Sequence, residues 1–395
     1  MNPNSQFGES ANDVMPEHVQ PEAVLVARSV APDPALLAQY ITEMSRSSRF
    51  SNYGPLHEAL RVILQSTLRA DRVSLFSSAT AALITVLRAL DVSGEVITTP
   101  FTFAATPHAI TWAGATPVFA DIDRNALTLD PARVEAAITP RTSAILAVHI
   151  YGMPCDVAAL EDIAARHCLK LIFDAAHAFG TCVNDVPIHR WGDASVYSTH
   201  ASKLFHTGEG GVLVCRDEAV AQRAERLQNF GIDADGLPAE AGVNSKLSEI
   251  QAALGLSVFP HVAAERAARQ RLAQRYAQSL SSIAHLRAFA LPDDVEHSLQ
   301  YFALRVSGAS RGDGLTQRDA ALNLLAAHNI HARRYFYPLC SEFPHYRALV
   351  SAKRENLPNA ISAANEMLCL PFHGGVSDAA QHAIATLLAH LDTLT

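Results

Sequence analysis

Between residues 72 and 215 the chain alternates short apolar runs with segments of helical periodicity, and this alternation limits the folds open to it. Runs that are apolar on both faces are typical of parallel strands, because helices cover both faces of such a sheet. The predicted strands are Arg72–Phe76, Glu95–Thr98, Pro117–Phe119, Ser143–Ile150, Lys170–Asp174, Ala194–Ser198 and Gly211–Cys215. Helices are predicted between them at Ala81–Leu90, Thr106–Ala113, Pro131–Ala137 and Val157–His167. The pattern predicts an α/β fold with a mostly parallel, seven-stranded sheet.

The segments on either side of this sheet predict the domain organisation. Helices are expected at Pro34–Met44 and Pro55–Leu68, and a long helix is expected over Ser248–Leu280 with a break near Pro260. Beyond it, a strand near Gln300–Val306 indicates a smaller α/β module. We therefore predict a flexible tail at 1–30, a large domain at 31–260 and a small C-terminal domain at 261–395. Gly211–Cys215 follows Ala194–Ser198 closely enough to form an antiparallel pair at a sheet edge.

Composition excludes several classes of function. The 395 residues suit two domains, and a net charge of −8 gives no reason to expect a nucleic-acid partner. No apolar run reaches the length of a membrane span, and the polar N-terminus lacks the pattern of a signal peptide. The six cysteines are scattered without a CxxC pair and the histidines without HExxH, so we predict reduced thiols, a cytoplasmic protein and no structural metal.

Two ionisable residues follow predicted strands at places where ligands usually bind. Asp174 closes an apolar strand; taken alone, such an aspartate is more often a helix cap or turn former, but in a pyridoxal site it would keep the ring nitrogen protonated. Lys203 is the only Lys or Arg between Arg190 and Arg216, although a single lysine is normally a solvated surface residue. If partly desolvated, this amine would have a lowered pKa and could form a Schiff base.

Three further features match the same cofactor. The segment containing Thr80 turns from a strand into a helix, and the free N–H groups of a helix N-terminus favour a phosphate, although an ordinary capped helix is the commoner explanation. Ser198 could supply a second hydroxyl to that phosphate. Phe103, also after a strand, could stack on an aromatic ring, although such residues more often belong to the core. In chain order, phosphate turn, stacking aromatic, Asp and Lys together indicate pyridoxal 5'-phosphate (PLP).

Ten segments carry a resemblance to a known family. They are Phe50–Pro55, Ser78–Leu83, Glu95–Phe103, Val118–Asp123, His149–Gly152, Asp174–Ala178, Ser198–Lys203, Glu209–Gly211, Gly242–Glu249 and Arg334–Leu339. With them, the chain from about Val30 to Leu394 resembles the DegT/DnrJ/EryC1/StrS sugar aminotransferases, which have the aspartate-aminotransferase fold (fold type I of the PLP-dependent transferases).

The resemblance implies a role for each matching residue. Lys203 would be the Schiff-base lysine and proton shuttle, Asp174 would pair with the pyridinium nitrogen, and His177 would lie near the phenolic oxygen of the ring. The cofactor would be stacked and its phosphate held by a set of residues comprising Ala79, Thr80, Ala81, Phe103 and Ser198. Asn244 would reach the phosphate of the other subunit's cofactor, which implies a homodimer with shared sites. Tyr335, Lys246 and Asn52 would contact the substrate.

The implied reaction is a ping-pong transamination between the PLP and pyridoxamine (PMP) forms of the cofactor. Glutamate would be the amino donor, and a nucleotide-linked keto sugar the acceptor. The Gly242–Glu249 and Arg334–Leu339 segments are most similar to members acting on dTDP-4-keto-6-deoxyhexoses. Three alternatives remain open: an aminotransferase of a non-nucleotide ketone such as a keto-inositol, a PLP-dependent lyase or dehydratase, and a PLP sensor without turnover. Lys203 argues against the dehydratases, because some of those relatives carry histidine there.

Two positions depart from the family pattern. Ala79 stands where the family usually has glycine in the phosphate turn, so the backbone there must avoid a positive φ. Thr199 stands where an aromatic residue is common. These departures bear on the detail of the pocket and not on the use of the cofactor.

Overall fold

The computed structural model describes residues 15–289, 292–308 and 315–391. Its helices are α1 (Pro34–Ser47), α2 (Pro55–Leu68), α3 (Ala79–Ala89), α4 (Ala105–Trp112), α5 (Pro131–Ala136), α6 (Val157–Arg166), α7 (Glu218–Leu227), α8 (Glu249–Val258), α9 (Val262–Leu280), α10 (Gln317–Ala327), α11 (Pro358–Glu366) and α12 (Asp378–Ala389). Its strands are β1 (Val24–Leu25), β2 (Ser74–Phe76), β3 (Glu95–Thr98), β4 (Thr116–Phe119), β5 (Thr142–Val148), β6 (Lys170–Asp174), β7 (Cys182–Val183), β8 (Val186–Pro187), β9 (Ala194–Ser198), β10 (Gly211–Cys215), β11 (Leu286–Ala288), β12 (Val295–Glu296), β13 (Phe302–Val306), β14 (Ile330–His331) and β15 (Met367–Leu370).

The central sheet has seven strands in the order β2-β10-β9-β6-β5-β3-β4. All neighbours are parallel except that β10 runs antiparallel to both β9 and β2, so the predicted mostly parallel sheet is confirmed. The antiparallel pairing of β9 with β10 is also confirmed. Its predicted place at the sheet edge is wrong, because β10 also bonds to β2, which forms the edge.

Alternate residues of the strands are buried on opposite faces of this sheet. Leu146 and Ile172 pack with the helices α3, α4 and α7, whereas Ile145 and Leu171 pack with α5 and α6. Burial on both faces is the reason that these strands have uninterrupted apolar sequences. Because β3, β5, β6 and β9 are parallel, their carboxyl ends emerge along one edge, where polar residues can meet.

Two local boundaries differ from the prediction or refine it. The predicted strand Ser143–Ile150 stops at Val148, because the chain turns into a short 3-10 helix in which Tyr151 has a φ of 56°. The predicted break near Pro260 is confirmed: Phe259–His261 forms a 3-10 turn between α8 and α9, since proline cannot continue the hydrogen-bond ladder.

The C-terminal module is built on the antiparallel sheet β11-β13-β15, which packs with α9, α10 and α12. The predicted strand near Gln300–Val306 corresponds to β13. Within the predicted tail, β1 pairs in parallel with β14 and Gln20 N donates to His328 O at 3.1 Å, so these residues contact the C-terminal module. The first 14 residues of that predicted tail lie outside the described residues, and the domain boundaries at 31–260 and 261–395 stay predictions.

In the described part of the chain, no helix combines the length and apolar character needed to cross a bilayer.

Candidate active site

Asp174 ends strand β6 and is held from two sides. Its Oδ2 accepts a hydrogen bond from Thr106 Oγ1 at 2.7 Å, and its Oδ1 accepts one from Ala176 N at 3.1 Å. The residue is 5% exposed. Burial raises the pKa of the carboxyl, while Thr106, Ala176 and the charge of Lys203 lower it. An aspartate placed in this way has a fixed orientation and depends on its neighbours to remain ionised.

Lys203 lies in the loop between β9 and β10 and is 9% exposed. Its backbone N–H donates to His200 O at 2.9 Å, which holds the loop in a turn. Burial lowers the pKa of the Lys203 amine from 10.5 to about 8, against the opposing effect of Asp174. A substantial fraction of this amine is therefore neutral near physiological pH, as a nucleophilic lysine requires.

A segment of the C-terminal module holds the Lys203 loop. The Gln300 side chain accepts a hydrogen bond from Leu204 N at 3.0 Å and donates one to Ser202 O at 2.9 Å, so one amide binds the residues on both sides of Lys203. The ring of Tyr301 lies with its centroid 5.7 Å from Lys203 Nζ. A role for Gln300 or Tyr301 cannot be predicted from sequence, because nearly one hundred residues separate them from the lysine and no local pattern joins them to it.

His177 completes a group with aromatic rings from the C-terminal module. Its ring contacts Tyr301 edge-on at 5.1 Å and stacks on Phe336 at 5.8 Å, and Tyr335 contacts Tyr301 at 5.3 Å. The structure thus brings the predicted residues Lys203, Asp174, His177 and Tyr335 together. We call Asp174, His177, Lys203, Tyr301 and Tyr335 the site floor.

His177 has an electrostatic feature that suits a bound ligand. The ring is buried, and its Nδ1 has no hydrogen-bond partner among the described residues. Burial, and after it the charge of Lys203, holds the pKa of His177 well below its ordinary value. The imidazole is therefore neutral, with one nitrogen free to bond a ligand in the site.

The predicted phosphate turn lies between β2 and α3. Ala79 begins α3 and does not have a positive φ, in agreement with the prediction for an alanine at this position. The N–H groups of Ala79 and Thr80 have no acceptor within the helix, whereas Ala81 N donates to Ser78 Oγ at 3.1 Å. A phosphate contact from Ala81 would have to displace that cap.

Strand β10 approaches this turn closely. A Cβ added to Gly211 would lie 2.6 Å from Ala79 N, so only glycine fits at this position. Gly211 pairs with Phe76 on one side and with Ser198 on the other, which places the predicted phosphate serine across one strand from the turn. This pairing makes the two predicted phosphate-binding segments neighbours, while their contact with a phosphate stays a prediction.

Of the remaining predicted residues, Phe103, Asn52 and Asn244 are exposed, whereas Lys246 is buried. Phe103 is 63% exposed at the end of the segment that leads into α4. Lys246 Nζ donates to Asn244 Oδ1 at 3.0 Å and to Asn229 Oδ1 at 2.5 Å. This segment lies beside the phosphate turn, since Ser77 N donates to Ser245 O.

Asn52 lies in the loop before α2. Glu249 holds the start of that helix by accepting from Leu56 N and His57 N. Among the described residues, no hydrogen bond joins Asn52 or Asn244 to Lys203. Their roles in binding substrate or cofactor stay predictions.

The residues present fit PLP in their chemistry. A buried amine, a carboxylate on a neighbouring strand end, an unpartnered imidazole nitrogen and a helix N-terminus with free N–H groups match an aldehyde, a ring nitrogen, a phenolic oxygen and a phosphate respectively. The set draws its members from the segments that follow three strands, β2, β6 and β9.

A second concave region lies apart from the site floor. This cavity, of about 1090 Å³, is bounded by α2, β2 and α7, and we call it the edge cavity. Its lining includes His57, Arg61, Arg72, Glu225 and Gln228, and no residue of the site floor. Size alone therefore does not locate the chemistry.

Comparison with known proteins agrees with this geometry. The chain is 40% identical over 350 residues to the dTDP-4-amino-4,6-dideoxy-D-glucose transaminase of Shigella dysenteriae, covering 88% of this chain and 94% of that protein. It superposes on the crystal structure of DesI, determined in the presence of its TDP-sugar product, with a TM-score of 0.88 and 35% identity over 94% of this chain and 93% of that one. The putative sugar aminotransferase Spr1654 of Streptococcus pneumoniae, in its PMP form, gives a TM-score of 0.84 at 25% identity over 93% and 98% of the two chains.

The family model that matches is the DegT/DnrJ/EryC1/StrS aminotransferase family, and the match extends over residues 34–389. The expected fold and family are thereby confirmed. With the lysine, the aspartate and the glycine-lined turn in the places described above, the chain belongs to the DegT/DnrJ/EryC1/StrS aminotransferase family.

Proposed function

We propose that this protein is a PLP-dependent aminotransferase that converts a dTDP-4-keto-6-deoxyhexose to the corresponding 4-amino sugar, with glutamate as the amino donor. The observation that carries the proposal is the buried Lys203, whose amine has a pKa of about 8 and lies in the field of the Asp174 carboxylate. In a family of aminotransferases, such an amine is the group that binds the cofactor and moves the proton.

PLP, when bound, supplies an electron sink for the carbon that loses or gains a proton. Lys203 would bind its aldehyde carbon and, once displaced by the amino donor, would carry the proton from one carbon to the other. Asp174 would hold the proton of the ring nitrogen, and the free Nδ1 of His177 would bond the phenolic oxygen. Transfer by one positioned amine contributes about 10²–10⁴-fold to the rate. The aromatic rings of Tyr301 and Tyr335 would keep water from the reacting atoms.

The substrate proposal rests on the names of the relatives. The Shigella protein is named as a transaminase of a dTDP-4-amino-4,6-dideoxyglucose, and the DesI structure includes a TDP-sugar product. The chain covers nearly the whole of both, so the substrate pocket falls within the aligned region. We infer that the present chain takes the same class of acceptor, a dTDP-linked 4-keto-6-deoxy sugar.

The subunit arrangement is part of the proposal. Asn244 is exposed, and its amide is oriented by Lys246. The apolar side chains of Phe230 and Val243 beside it are each 49% exposed, which suits a subunit contact. We infer a homodimer in which Asn244 reaches the cofactor phosphate of the other subunit. Six free thiols suit a reducing compartment, and we place the dimer in the cytoplasm.

Two half-reactions test the proposal. Glutamate added to the PLP-loaded protein should shift the visible absorbance of the cofactor to that of the PMP form and release 2-oxoglutarate. The PMP-loaded protein should then be screened against keto sugars linked to dTDP, UDP and GDP, together with a keto-inositol. We expect the dTDP-4-keto-6-deoxyhexose to give an amino sugar and to restore the PLP spectrum fastest.

Other outcomes would overturn the proposal. A sugar product that has lost a hydroxyl without gaining nitrogen would indicate a dehydratase. Binding of PLP without release of 2-oxoglutarate and without turnover of any acceptor would indicate a sensor.

A further inference from the structure

Two threonine hydroxyls form a chain of hydrogen bonds that ends on the carboxylate of Asp174. Thr106, in the first turn of α4, donates to Asp174 Oδ2 at 2.7 Å, and its Oγ1 lies 2.9 Å from Thr102 Oγ1. Thr106 is 0% exposed and Thr102 is 3% exposed. A buried hydroxyl chain that ends on a carboxylate in a catalytic site needs an explanation beyond packing.

The direction of this chain follows from the count of hydrogens. A threonine hydroxyl carries one hydrogen, and Thr106 gives it to the carboxylate. The contact between the two hydroxyls must then be donated by Thr102. Both dipoles therefore point toward Asp174, and the second hydrogen bond strengthens the first by polarising the Thr106 hydroxyl.

The remaining neighbours of Asp174 show why two aligned dipoles matter. The N–H of Ala176 is the other hydrogen-bond donor to the carboxylate. The titratable group whose charge acts on it is Lys203, from the loop after β9, and the buried His177 follows in the turn after β6. Burial keeps His177 neutral and lowers the pKa of Lys203 to about 8, so neither supplies a constant positive charge. Burial itself favours the protonated carboxyl.

We propose that Thr106, supported by Thr102, is the positioning residue that keeps Asp174 ionised and aimed at the ring nitrogen of the cofactor, and thereby sets the protonation of that ring. The inference rests on the proposed function, because it needs PLP to be bound at Lys203. Without the Thr106 hydroxyl, Asp174 becomes more basic and competes for the proton of the ring nitrogen. The ring then loses positive charge and withdraws fewer electrons.

The test uses full-length protein with isosteric and restoring substitutions. Thr106→Val removes the hydroxyl and keeps the shape, Thr106→Ser restores the hydroxyl, and Thr102→Val removes only the outer donor. Thr85→Val is the matched control, because Thr85 is also a buried helical threonine and its Oγ1 has no partner among the described residues. For each variant we would measure the dissociation constant of PLP, the pKa of the visible absorbance band of the bound cofactor, and the melting temperature.

The expected results follow from the loss of one hydrogen bond to a charged group. Thr106→Val should weaken PLP binding about tenfold and raise the pKa of the absorbance band by about one unit, because a less positive ring makes the Schiff-base nitrogen more basic. Thr106→Ser should lie close to the wild type, Thr102→Val should shift in the same direction by less, and Thr85→Val should not shift. A lower melting temperature alone would not produce this order.

The contrary results are equally definite. If the wild type binds PLP while Thr106→Val and Thr102→Val titrate as the wild type does, the inference is overturned and the proposed function stands. Should Thr106→Val fail to fold, Thr102→Val and Thr106→Ser decide the question, because an unshifted Thr102→Val contradicts the chain of donors. A wild type that does not bind PLP overturns the proposed function itself.

Discussion

The site floor and the edge cavity both contain charged side chains, but within the described ranges these are joined in ion pairs only in the edge cavity. In the edge cavity Arg72 pairs with Glu225, and Arg190 lies 2.7 Å from Asp71. In the site floor, no described acidic side chain lies within ion-pair distance of Lys203, and Asp174 is held by a hydroxyl and a backbone N–H. Ion pairs in contact with water contribute little to stability, whereas burial lowers the pKa of the unpaired Lys203 to about 8. Incomplete pairing of buried charge, and not volume, marks the reactive region.

Replacing the lysine should have the largest effect on this contrast. We expect Lys203→Ala to lower turnover by about 10⁴-fold or more, because in the proposed mechanism this one residue both binds the cofactor and moves the proton. The variant should fold and be as stable as the wild type or slightly more stable, since a buried amine is removed. Steady-state assays and thermal melts would measure both. Lys170→Ala at an exposed lysine is the control, and an active Lys203→Ala would refute the assigned role.

Neutralising the carboxylate should have the next largest effect. Asp174→Asn keeps the size of the side chain and removes its charge, so in the proposed mechanism the ring nitrogen would lose the group that holds its proton. We expect the rate to fall by about 10²–10³-fold together with weaker PLP binding. Stopped-flow kinetics with glutamate and equilibrium titration with PLP would test it. An unchanged rate would remove Asp174 from the scheme.

The pH dependence of cofactor capture probes the lowered pKa of the same lysine. The neutral amine is the nucleophile, and it forms as pH rises through about 8. Below that value the rate of PLP capture by the apoprotein should rise about tenfold per pH unit, and above it the rate should level off. A rate that continues to rise up to the pKa of an ordinary lysine would show that the Lys203 amine is solvated.

Removing the Gln300 side chain that holds the Lys203 loop should have a moderate effect. Gln300→Ala removes both hydrogen bonds to the residues beside Lys203, so the loop should lose its fixed position and turnover should fall by about 5–10-fold. Gln381→Ala is the matched control, because Gln381 is a buried glutamine of the same module that bonds Ser279. If both variants lost activity equally, the effect would come from module stability and not from the Gln300 hydrogen bonds.

A change in the edge cavity should have the smallest effect on catalysis. Glu225→Gln weakens the pair with Arg72 and the contact with Ser74, and both charged side chains are partly exposed. We expect a loss of about 0.5–1 kcal/mol in stability and a turnover within about twofold of the wild type. Chemical denaturation and activity assays would measure the two effects. A large loss of turnover would give the edge cavity a part in the reaction and break the comparison.

Much of the large sheet could be predicted from sequence. The bounds of β3, β6, β9 and β10 match the prediction, because each is a buried run between turn-forming residues. Asp174 and Lys203 were identified for the same reason, since strand ends in a parallel sheet converge. The position of β10 between β9 and β2 could not be predicted, because a strand buried on both faces has the same apolar sequence whether it pairs on one side or on two.

The contribution of the C-terminal module could not be predicted in this way. Gln300 and Tyr301 act on a loop that is 96 to 98 residues distant in sequence, and only the packing of the two modules brings them there. The hydroxyl pair Thr102 and Thr106 carried a local signal, a spacing of four residues at the start of a helix. Its meaning depends on Asp174, which lies on another strand.

Reductive trapping tests the central claim most directly. The chain has four lysines, at positions 170, 203, 246 and 353, so the site of attachment can be read without ambiguity. Borohydride reduction of the PLP-loaded protein, followed by peptide mass spectrometry, should place one phosphopyridoxyl group per chain on Lys203. A group fixed to another lysine, or none fixed at all, would contradict the account.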